Sequence, residues 1–426
     1  MKYKSVVWDL DGVLTDSAPG IISTTKYVLS KMNKRIPSDT VLRMFLGPPL
    51  AVSFRELCGM SEKQAFIASD LYRERYRTDG WHDNAVYPGI RPLLKALRDK
   101  GCYLCVATGK STSAAKRILD AFFLTPYFDR IIGSSENQHN VQKQDVIVDA
   151  LQGNNAAVMI GDRDSDILAA RALGIDSIAV SYGYGSDEEL VLSRPTGKAD
   201  SVDALWELLG VEKISQNGYF ISVEGNDGCG KTTQTGLLYE WLRQCGFDAM
   251  TTREPGGSPV AEKIRAILLD KENMSMYGIT EALLFAASRA QHVKEVIEPA
   301  LVRGKVVITD RFVDSSIAYQ GAGQQLGEDM VAQINAPAVD GHYPDTTVYL
   351  DLDYRVALKR RKHASEADRI ELNPEDFHQR VQDAFRRLHA TNRERYLKID
   401  ASGTAEDIAR AVYGQVAVRM MLSGVA

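Results

Sequence analysis

The sequence predicts an α/β protein of two domains, each built around a parallel sheet. The chain has 426 residues, more than one ordinary hydrophobic core accommodates. In both halves, apolar strand-like runs alternate with amphipathic helical stretches. A short polar stretch, "VEKISQNG" at 211–218, separates the two series, and a new strand begins at Tyr219.

The first series covers residues 1–210. Its predicted strands are four apolar runs: "SVVWD" (5–9), "CYLCVAT" (102–108), "AAVMIGD" (156–162) and "SIAVSY" (177–182). Residues 17–85 interrupt the series after the first strand with helical, polar-mixed sequence such as "EKQAFIASDLYRERYR". An insertion of this size at this place predicts a helical cap.

The second series covers residues 219–426, with 211–218 as the linker. Its predicted strands are "YFISVEG" (219–225), "FDAMTTR" (247–253), "KVVITDR" (305–311), "TTVYLDLD" (346–353) and "YLKIDAS" (396–402). Helical stretches between them complete the pattern of a second parallel sheet.

The composition narrows the function classes. An apolar content of 44% and a charged content of 25% are typical of a soluble globular protein, and the net charge of -5 argues against a nucleic-acid partner. Neither a signal peptide nor a run of about 18 apolar residues is evident, so we expect no membrane partner and a cytoplasmic location. Cys102 and Cys105 are three apart on a predicted strand and point to opposite faces, which favours burial over a metal or redox site.

Two aspartates follow the first strand, where open parallel sheets bind ligands. Asp9 and Asp11 can divide the work of phosphoryl transfer, one attacking phosphorus and the other handling the proton of the leaving group. A carboxylate beside a phosphate requires an intervening cation, so Mg²⁺ is expected. Taken alone, the pair is a weak signal, and a turn or helix N-cap role would be its default interpretation.

Later strand ends add matching groups. Thr108 ends the second strand and offers a hydroxyl to a phosphoryl oxygen, while Lys143 lies near the start of a helix, where a cation offsets clustered acids. Asp162 and Asp166, in "GDRDSD", follow the next strand and suit metal ligation.

In this order, "DLDGVLTDS", "VATGK", the later lysine and "GDRDSD" resemble the haloacid dehalogenase superfamily of phosphatases, over about residues 1–209. The resemblance implies a Rossmann-like core with a small helical cap, as in phosphoglycolate-phosphatase or nucleotidase-type members. It makes Asp9 the nucleophile and Asp11 the general acid and base, with the phosphoryl group bound by Thr108 and Lys143. Mg²⁺ would be held by Asp9, Asp162, Asp166 and the carbonyl of Asp11.

In such enzymes the cap, and not the four motifs, selects the substrate. The motifs therefore predict a phosphate monoester as substrate but do not identify which one. "FLGPPL" (45–50) and Arg55 fit cap contacts, but a helix connector and a solvated arginine fit them equally.

A Gly-rich stretch, "GNDGCGKT" at 225–232, fits a P-loop between a strand and a helix. Its backbone N–H groups and the helix N-terminus suit phosphate binding. Lys231 is expected to reach the β- and γ-phosphates of ATP and Thr232 to ligate Mg²⁺. The predicted nucleotide-binding residues are Gly225, Asn226, Asp227, Gly228, Cys229, Gly230, Lys231, Thr232 and Thr233.

Further residues suit a phosphoryl acceptor. Asp310 can organise Mg²⁺ or water beside the P-loop, and Arg311 offers a planar fork to an acceptor phosphate. Phe285 and Arg289 share a helix face and suit a stacked base and a hydrogen bond to its carbonyl, although Phe285 fits core packing equally.

The ordered stretches "TTREPGGSP", "TEALLFAASRAQH", "TDRFVDSSIAYQG", "YPDTTVYLDLD" and "EADRIE" resemble bacterial thymidylate kinases across nearly all of 218–420. The resemblance implies a P-loop nucleoside monophosphate kinase fold, dTMP and ATP as substrates, and a homodimer formed through this domain. It favours thymine stacking on Phe285 and places Asp227 at the deoxyribose 3′-hydroxyl. The other implied acceptor contacts are Arg253, Ser316, Tyr319 and Gln320.

Some thymidylate kinases carry a P-loop arginine where this chain has Gly228. The type without it takes positive charge from a mobile lid, and "KRRKHASEADR" (359–369) has that composition. Arg360, Arg361 and Lys362 stay open as the phosphate-contacting cation, and Arg369 is expected to serve in lid closure.

The sequence therefore predicts a bifunctional enzyme that phosphorylates dTMP and hydrolyses a phosphate monoester through an aspartyl-phosphate. Two alternatives stay open. The first domain is a non-catalytic regulatory or dimerisation module, or the kinase takes dUMP or a modified pyrimidine nucleotide, since a methyl group provides only about 1–3 kcal/mol of discrimination.

Overall fold

The computed structural model describes residues 2–134, 142–154, 156–213, 218–362, 369–370 and 372–425. The chain divides into two compact units. Unit 1 comprises Met1–Ile214 with Gln244–Gly246, and unit 2 comprises Ser215–Arg243 with Phe247–Ala426.

Unit 1 contains a six-stranded sheet in which every neighbouring pair is parallel, in the order β5-β4-β1-β6-β7-β8. A two-stranded antiparallel ladder, β2 with β3, lies outside it. The strands are β1 (Ser5–Trp8), β2 (Thr15–Asp16), β3 (Ala85–Val86), β4 (Tyr103–Ser111), β5 (Arg130–Ser134), β6 (Ala157–Gly161), β7 (Asp176–Val180) and β8 (Gly197–Ala199).

The four central strands of this sheet, β4, β1, β6 and β7, were predicted from the sequence, whereas its two edge strands were not. Val6, Val7 and Trp8 of β1 are fully buried, as expected for a parallel strand covered on both faces. The sequence prediction missed the two edge strands, β5 and β8. These strands, "RIIGS" and "GKA", are short and mostly half-buried or exposed, so they lack the apolar run that marks the central strands.

The helices of unit 1 include the predicted cap. Four helices fall inside the 17–85 insertion and enclose their own apolar cluster, which includes Leu29, Phe54 and Tyr72. The helices are α1 (Ala18–Lys31), α2 (Asp39–Arg43), α3 (Leu50–Cys58), α4 (Glu62–Thr78), α5 (Ile90–Asp99), α6 (Thr112–Ala121), α7 (Lys143–Leu151), α8 (Asp164–Ala172), α9 (Asp187–Leu192) and α10 (Val202–Leu209), with 3₁₀ turns at Gly80–His82 and Thr125–Tyr127.

Unit 2 contains a five-stranded parallel sheet in the order β10-β11-β9-β12-β13, and all five predicted strands are confirmed. Successive residues of the central strand β9 point to opposite faces, so Ile221 packs in one apolar cluster and Phe220 in the other. The strands are β9 (Tyr219–Glu224), β10 (Ala249–Arg253), β11 (Val306–Asp310), β12 (Thr346–Asp351) and β13 (Tyr396–Asp400).

Helices cover both faces of this second sheet. They are α11 (Lys231–Gln244), α12 (Pro259–Leu269), α13 (Gly278–His292), α14 (Glu298–Val302), α15 (Val313–Ser316), α16 (Glu328–Val339), α17 (Tyr354–Lys362), α18 (Glu375–Thr391) and α19 (Ala405–Leu422). A 3₁₀ turn at Lys271–Asn273 and π-helical turns at Val293–Ile297 and Ile317–Gly323 complete the set.

Cys102 and Cys105 are buried free thiols, as the strand pattern predicted. Among the described residues, only one group of acids, cysteines or histidines is close enough together to hold a metal ion, and neither cysteine belongs to it. No helix within the described ranges combines the length and the apolar character needed to cross a bilayer.

Candidate active sites

Three of the predicted metal-binding acids of unit 1 meet at the carboxyl ends of β1 and β6. The backbone N–H of Asp9 donates to the Ile160 carbonyl at 2.9 Å, which continues the ladder and brings Asp9 beside the turn that follows β6. One oxygen each of Asp9, Asp162 and Asp166 lies within 4.8 Å of the others, and Asp162 and Asp166 are each only 1% exposed. Hard carboxylate oxygens gathered in this way fit a divalent cation such as Mg²⁺.

Lys143 offsets part of this charge from the first position of α7. Its Nζ lies 3.0 Å from Oδ1 of Asp9 and 2.7 Å from Oδ1 of Asp166. Burial raises the pKa of Asp9 to about 6, with Asp166 adding to the shift and Lys143 opposing it. Burial and the charges of Asp9 and Asp166 raise the pKa of Asp162 well above its usual value. One ammonium thus leaves an excess of negative charge, which is the condition a bound cation would relieve.

Asp11 pairs with a lysine to which the sequence prediction gave no role. Nζ of Lys110 lies 3.1 Å from Oδ2 of Asp11, whereas Oδ1 of Asp11 is buried without a hydrogen-bond donor among the described residues. Burial disfavours the charge of Lys110, but Asp11 and Tyr76 outweigh this effect and raise its pKa. Lys110 lies two residues after Thr108, but the pairing of β4 with β5 shifts register between Thr108 and Ser111, so strand alternation could not have placed Lys110 beside Asp11.

Thr108 is 1% exposed near the carboxyl end of β4, the neighbour of β1, and its Oγ1 accepts from the backbone N–H of Lys110 at 3.2 Å. Arg55 matches the solvated alternative, since its side chain is 55% exposed and pairs with the adjacent Glu56. The structure thus brings Asp9, Asp162, Asp166 and Lys143 together and leaves Arg55 apart.

The P-loop of unit 2 connects β9 to α11. Nζ of Lys231 donates to the carbonyls of Gly225 and Asn226, at 3.0 and 2.8 Å. The hydroxyl of Thr232 donates to Oδ2 of Asp310 at 2.6 Å, so the residue expected to ligate Mg²⁺ touches the acid at the end of β11. Both oxygens suit the same hard cation.

Asp227 and Arg311 form an ion pair at the mouth of this loop, and Tyr319 joins them. The Arg311 guanidinium donates to Oδ1 of Asp227, and the Tyr319 hydroxyl donates to Oδ2 at 2.8 Å. Burial acts against the Asp227 carboxylate, but Arg311 and Lys231 prevail and lower its pKa to about 2. Three residues predicted to contact the acceptor therefore form one cluster.

Arg289 is buried and bound on several sides. Its Nε and Nη2 each lie 2.7 Å from Oε2 of Glu254, and Nη1 donates to Oγ of Ser316 at 3.2 Å and to Oδ1 of Asn335. His292 contacts the other oxygen of Glu254 at 3.0 Å. The sequence prediction found Arg289 and Ser316 but missed Glu254 and Asn335, which approach from other segments, and His292, which lies on α13 with Arg289.

A cavity of about 1050 Å³ brings the nucleotide and acceptor residues together. Phe285 and Tyr319 belong to an apolar cluster and also line this cavity, so Phe285 packs in the core and its stacking on a base stays a prediction. The lining includes these predicted residues: Asp227, Gly228, Gly230, Lys231, Thr232, Thr233, Arg253, Phe285, Arg289, Asp310, Arg311, Ser316, Tyr319 and Gln320. Gly225, Asn226 and Cys229 of the P-loop do not belong to the described lining.

Arg253 lines the cavity with a side chain that is 55% exposed and pairs with Glu262 at 2.9 Å. It lies at the end of β10, next to β11 in the sheet. Arg253 therefore lies at the cavity wall, where Glu262 holds its guanidinium.

Glu281 links two predicted residues that are far apart in sequence. Its Oε1 accepts from Nε2 of Gln320 at 2.8 Å, and its Oε2 accepts from the guanidinium of Arg369. Oε1 of Gln320 is buried without a donor among the described residues. Arg369, which also donates to the Leu268 carbonyl at 2.9 Å, is thus placed against Glu281 and does not belong to the described lining of the cavity.

The start of the predicted lid lies on α17. Arg360 and Arg361 line the cavity, and Arg360 donates to the carbonyls of Ala401 and Ser402 at 3.0 and 3.2 Å. The side chain of Lys362 and residues 363–368 of the predicted lid lie outside the described part of the chain. Gly228 has a φ of +83°, and a Cβ there would overlap the Ala357 carbonyl of α17, so this P-loop position has no room for an arginine.

Glu224, at the end of β9, is a buried acid that the sequence prediction passed over. Oε1 accepts from the Phe312 N–H at 2.7 Å and Oε2 accepts from the Ser315 hydroxyl at 2.6 Å. The Ser315 hydroxyl also accepts from Nη1 of Arg311 at 3.0 Å. Glu224 therefore supports the segment that carries Arg311.

Two units with phosphate-handling residues at the carboxyl ends of parallel strands define a fused phosphoryl-transfer enzyme. The thymidylate kinase family model matches residues 223–412, and the haloacid dehalogenase-like hydrolase model matches residues 6–180. The chain belongs to the thymidylate kinase family and carries a haloacid dehalogenase-like hydrolase domain ahead of the kinase domain.

Two thymidylate kinases agree with the kinase part of this assignment. The chain is 49% identical over 194 residues to a thymidylate kinase of Geobacillus thermodenitrificans, covering 45% of this chain and 86% of that protein. It is 44% identical over 205 residues to a thymidylate kinase of Pelobacter propionicus, covering 47% and 94%. A solved structure described as a predicted phosphatase from Clostridium acetobutylicum is 42% identical, with a TM-score of 0.46 over 49% of this chain and 99% of its own. The two family models confirm both sequence-based resemblances.

Proposed function

We propose that unit 2 transfers the γ-phosphoryl group of ATP to dTMP, giving dTDP, and that unit 1 hydrolyses a phosphate monoester. A cavity of unit 2 supports the kinase activity. It is lined by Lys231 and Thr232 of the P-loop and also by Phe285 and Arg289 of the acceptor side. A donor and an acceptor nucleotide can therefore meet in one cavity.

The kinase residues act by positioning and by charge. The P-loop N–H groups and Lys231 hold the phosphates of ATP, while Arg311 presents its fork to the phosphate of dTMP. Phe285 stacks on the thymine ring, and Asp227 accepts from the 3′-hydroxyl. The acceptor oxygen bonds to the γ-phosphorus as the bond to the β–γ bridging oxygen breaks, and Arg360 or Arg361 offsets the charge that develops there. Thr232 and Asp310 would hold Mg²⁺, which supplies further neutralisation of the phosphates when bound.

The phosphatase residues act through a covalent intermediate. A carboxylate oxygen of Asp9 bonds to phosphorus while the ester P–O bond breaks, and Asp11 gives its proton to the departing alcohol oxygen. Asp11 then takes a proton from water as that water attacks the aspartyl-phosphate, releasing inorganic phosphate and restoring Asp9. Lys143 and Thr108 bind the phosphoryl oxygens. Asp9, Asp162, Asp166 and the Asp11 carbonyl would hold Mg²⁺, which neutralises phosphoryl charge when bound.

The two activities cannot both consume dTMP freely, because the chain would then convert its acceptor to thymidine while using ATP. We therefore propose that the phosphatase prefers another monoester. A purely regulatory or dimerisation role for unit 1 is less well supported. A module without catalysis has no need for two acids with separate lysine partners, and here Asp9 pairs with Lys143 and Asp11 with Lys110.

The decisive experiment incubates the intact protein, Asp9→Asn and Lys231→Met with dTMP, ATP and Mg²⁺ and follows every nucleotide by chromatography. Equal dTDP from the intact protein and Asp9→Asn, none from Lys231→Met, and no thymidine would support the proposal. Thymidine from the intact protein but not from Asp9→Asn would refute the separate-substrate proposal.

A panel of phosphate esters tests the phosphatase itself. Mg²⁺-dependent hydrolysis by the intact protein that is lost in Asp9→Asn supports the activity. No hydrolysis of any ester would favour the regulatory module. Replacing dTMP by dUMP in the kinase assay tests the remaining alternative acceptor.

We also propose a cytoplasmic homodimer that forms through unit 2. Exposed apolar side chains on α12, α13 and α16 support this arrangement: Val260, Ile267, Leu283 and Met330 are 46–52% exposed. Light scattering of the intact chain should give twice the mass of 47.1 kDa.

A further inference from the structure

A loop of the cap in unit 1 is bonded to the turn that carries two of the clustered acids. Nη1 of Arg163 donates to the carbonyl of Leu46 at 2.7 Å. Leu46 belongs to the stretch at 45–50 whose contacts the sequence left open, and Arg163 lies between Asp162 and Asp166 in the chain. One side chain therefore joins the cap to the loop of the acid cluster.

The core side of this contact is fixed. Nε of Arg163 donates to Oε1 of Glu189 at 2.8 Å, and the same oxygen accepts from the backbone N–H of Asp164 at 2.9 Å. The backbone N–H of Arg163 donates to Oδ2 of Asp166 at 3.2 Å. Glu189 of α9 thus holds the guanidinium of Arg163, while the backbone N–H of Arg163 orients the carboxylate of Asp166.

The cap side is packed around the guanidinium. Gly47 has a φ of +111°, and a Cβ on it would overlap Nη1 of Arg163. The neighbouring Phe45 is 2% exposed and packs edge-to-face on Phe54 of α3, with ring centroids 5.1 Å apart. The Leu46 carbonyl is therefore connected to the core of the cap.

We propose that Arg163 is a positioning residue that holds the cap loop 45–50 over the acid cluster and so sets how tightly unit 1 retains its substrate. The proposal rests on the phosphatase function proposed above. Arg163 would act on substrate retention through the cap, and the bond-making steps would stay with Asp9 and Asp11. A hydrogen bond from a charged donor to a carbonyl is strong enough to change the cap equilibrium about tenfold or more.

The first readout is hydrogen exchange of the full chain, which needs no substrate. Arg163→Met removes the donors while keeping an extended apolar side chain. It should speed exchange at the amides of Phe45, Leu46 and the first turn of α3 by about tenfold, with no change in β1 and β6. Arg163→Lys retains the charge without the fork and should restore part of the protection.

The second readout is the kinetics of p-nitrophenyl phosphate hydrolysis with Mg²⁺. Arg163→Met should raise KM by about fivefold or more and change kcat much less, because the loss affects retention more than bond formation. Kinase activity of the same variant should equal that of the unsubstituted protein.

Gly47→Ala tests the contact from the cap side. It should reproduce the faster exchange and add little to it in the Arg163→Met background, because both changes remove one contact. Gly59→Ala is the matched control, since Gly59 also lies in the cap with a positive φ of +62° but has open space at its Cβ position.

Unchanged exchange at 45–50 in Arg163→Met would overturn the proposal, and so would faster exchange spread equally over β1 and β6. If no ester is hydrolysed while exchange at 45–50 still accelerates, the cap contact stands and the phosphatase function fails.

Discussion

Arg289 and Glu254 form an ion pair in unit 2 whose side chains are 1% and 2% exposed. Burying an ion pair this deeply has a desolvation cost, which hydrogen bonds to the remaining donors and acceptors offset. Ser316 and Asn335 accept from the guanidinium, and His292 contacts the carboxylate. The wall of the acceptor side is therefore held by a charged network anchored in β10, α13 and α16.

Arg289→Met should destabilise unit 2 and weaken dTMP binding. Removing one partner of a buried pair leaves an uncompensated charge, which typically costs about 3–5 kcal/mol of unfolding free energy. Urea unfolding of the full chain measures this cost, and the KM for dTMP measures the effect on the site. Arg410→Met is the control, because Arg410 pairs with Asp407 on the exposed face of α19. Equal free energies of unfolding for Arg289→Met and Arg410→Met would contradict the prediction.

Glu281→Gln should relax base discrimination by the kinase. Glu281 accepts from Nε2 of Gln320, a residue of the cavity lining, and so fixes the amide with its buried Oε1 as an acceptor that has no donor among the described residues. Such an acceptor suits the N3–H of thymine and opposes the unprotonated N3 of cytosine. A glutamine at 281 can donate as well as accept, so the amide of Gln320 would no longer be fixed.

The measurement compares kcat/KM for dTMP and dCMP in the Glu281 variant and the unsubstituted protein, and the ratio should fall about tenfold or more. Glu328→Gln, at an acid that pairs with Arg387 outside the cavity lining, is the control. A loss of activity on both nucleotides with an unchanged ratio would show a structural role only.

Gly228→Ala should abolish most kinase activity without affecting unit 1. The residue has a positive φ, and its added Cβ would push against the Ala357 carbonyl, which displaces either the P-loop or α17. Gly414→Ala is the matched control in α19, where a Cβ meets open space and a helix favours alanine. Kinase activity of Gly228→Ala comparable to that of Gly414→Ala would show that this close approach is unimportant.

The sequence predicted those site residues whose positions follow from the neighbouring residues in the chain. Asp9, Asp162, Lys231 and Asp310 each lie at or near the junction of a buried strand or helix with a turn, and periodicity with spacing is enough to place them. Both sheets followed from the same patterns, apart from the short edge strands β5 and β8.

The buried polar partners were not predictable in this way. Glu254 pairs with Arg289 across 35 positions and Glu281 with Arg369 across 88, and nothing in the local pattern of either acid indicates burial. Such pairs depend on which helices pack together, which periodicity does not specify. Lys110 was likewise not predictable, because a register shift after Thr108 interrupts the alternation of β4 and because its acid partner, Asp11, follows another strand.

Glu224→Gln should stabilise unit 2 increasingly as the pH rises from about 5 to about 8. Burial, followed by the charge of Asp314, raises the pKa of Glu224 to about 8, against the opposing hydrogen bond from Ser315, the charge of Arg311 and the N–H of Phe312. Between its ordinary value and 8 the folded chain keeps a proton that the unfolded chain has lost. Stability therefore falls with rising pH, by at most about 1.4 kcal/mol per pH unit for one proton, and levels off above 8.

Glutamine has no proton to lose, so this slope should disappear in the variant. The measurement is urea unfolding of the full chain at pH 5, 6, 7 and 8, following the transition of unit 2. It compares the free energy of unfolding of Glu224→Gln with that of the unsubstituted protein. Glu240→Gln, at an exposed position of α11, is the matched control and should keep the original slope. A difference between Glu224→Gln and the unsubstituted protein that stays constant across this range would mean that Glu224 is ionised throughout. Its two hydrogen bonds to the Arg311 segment would then be those of a carboxylate.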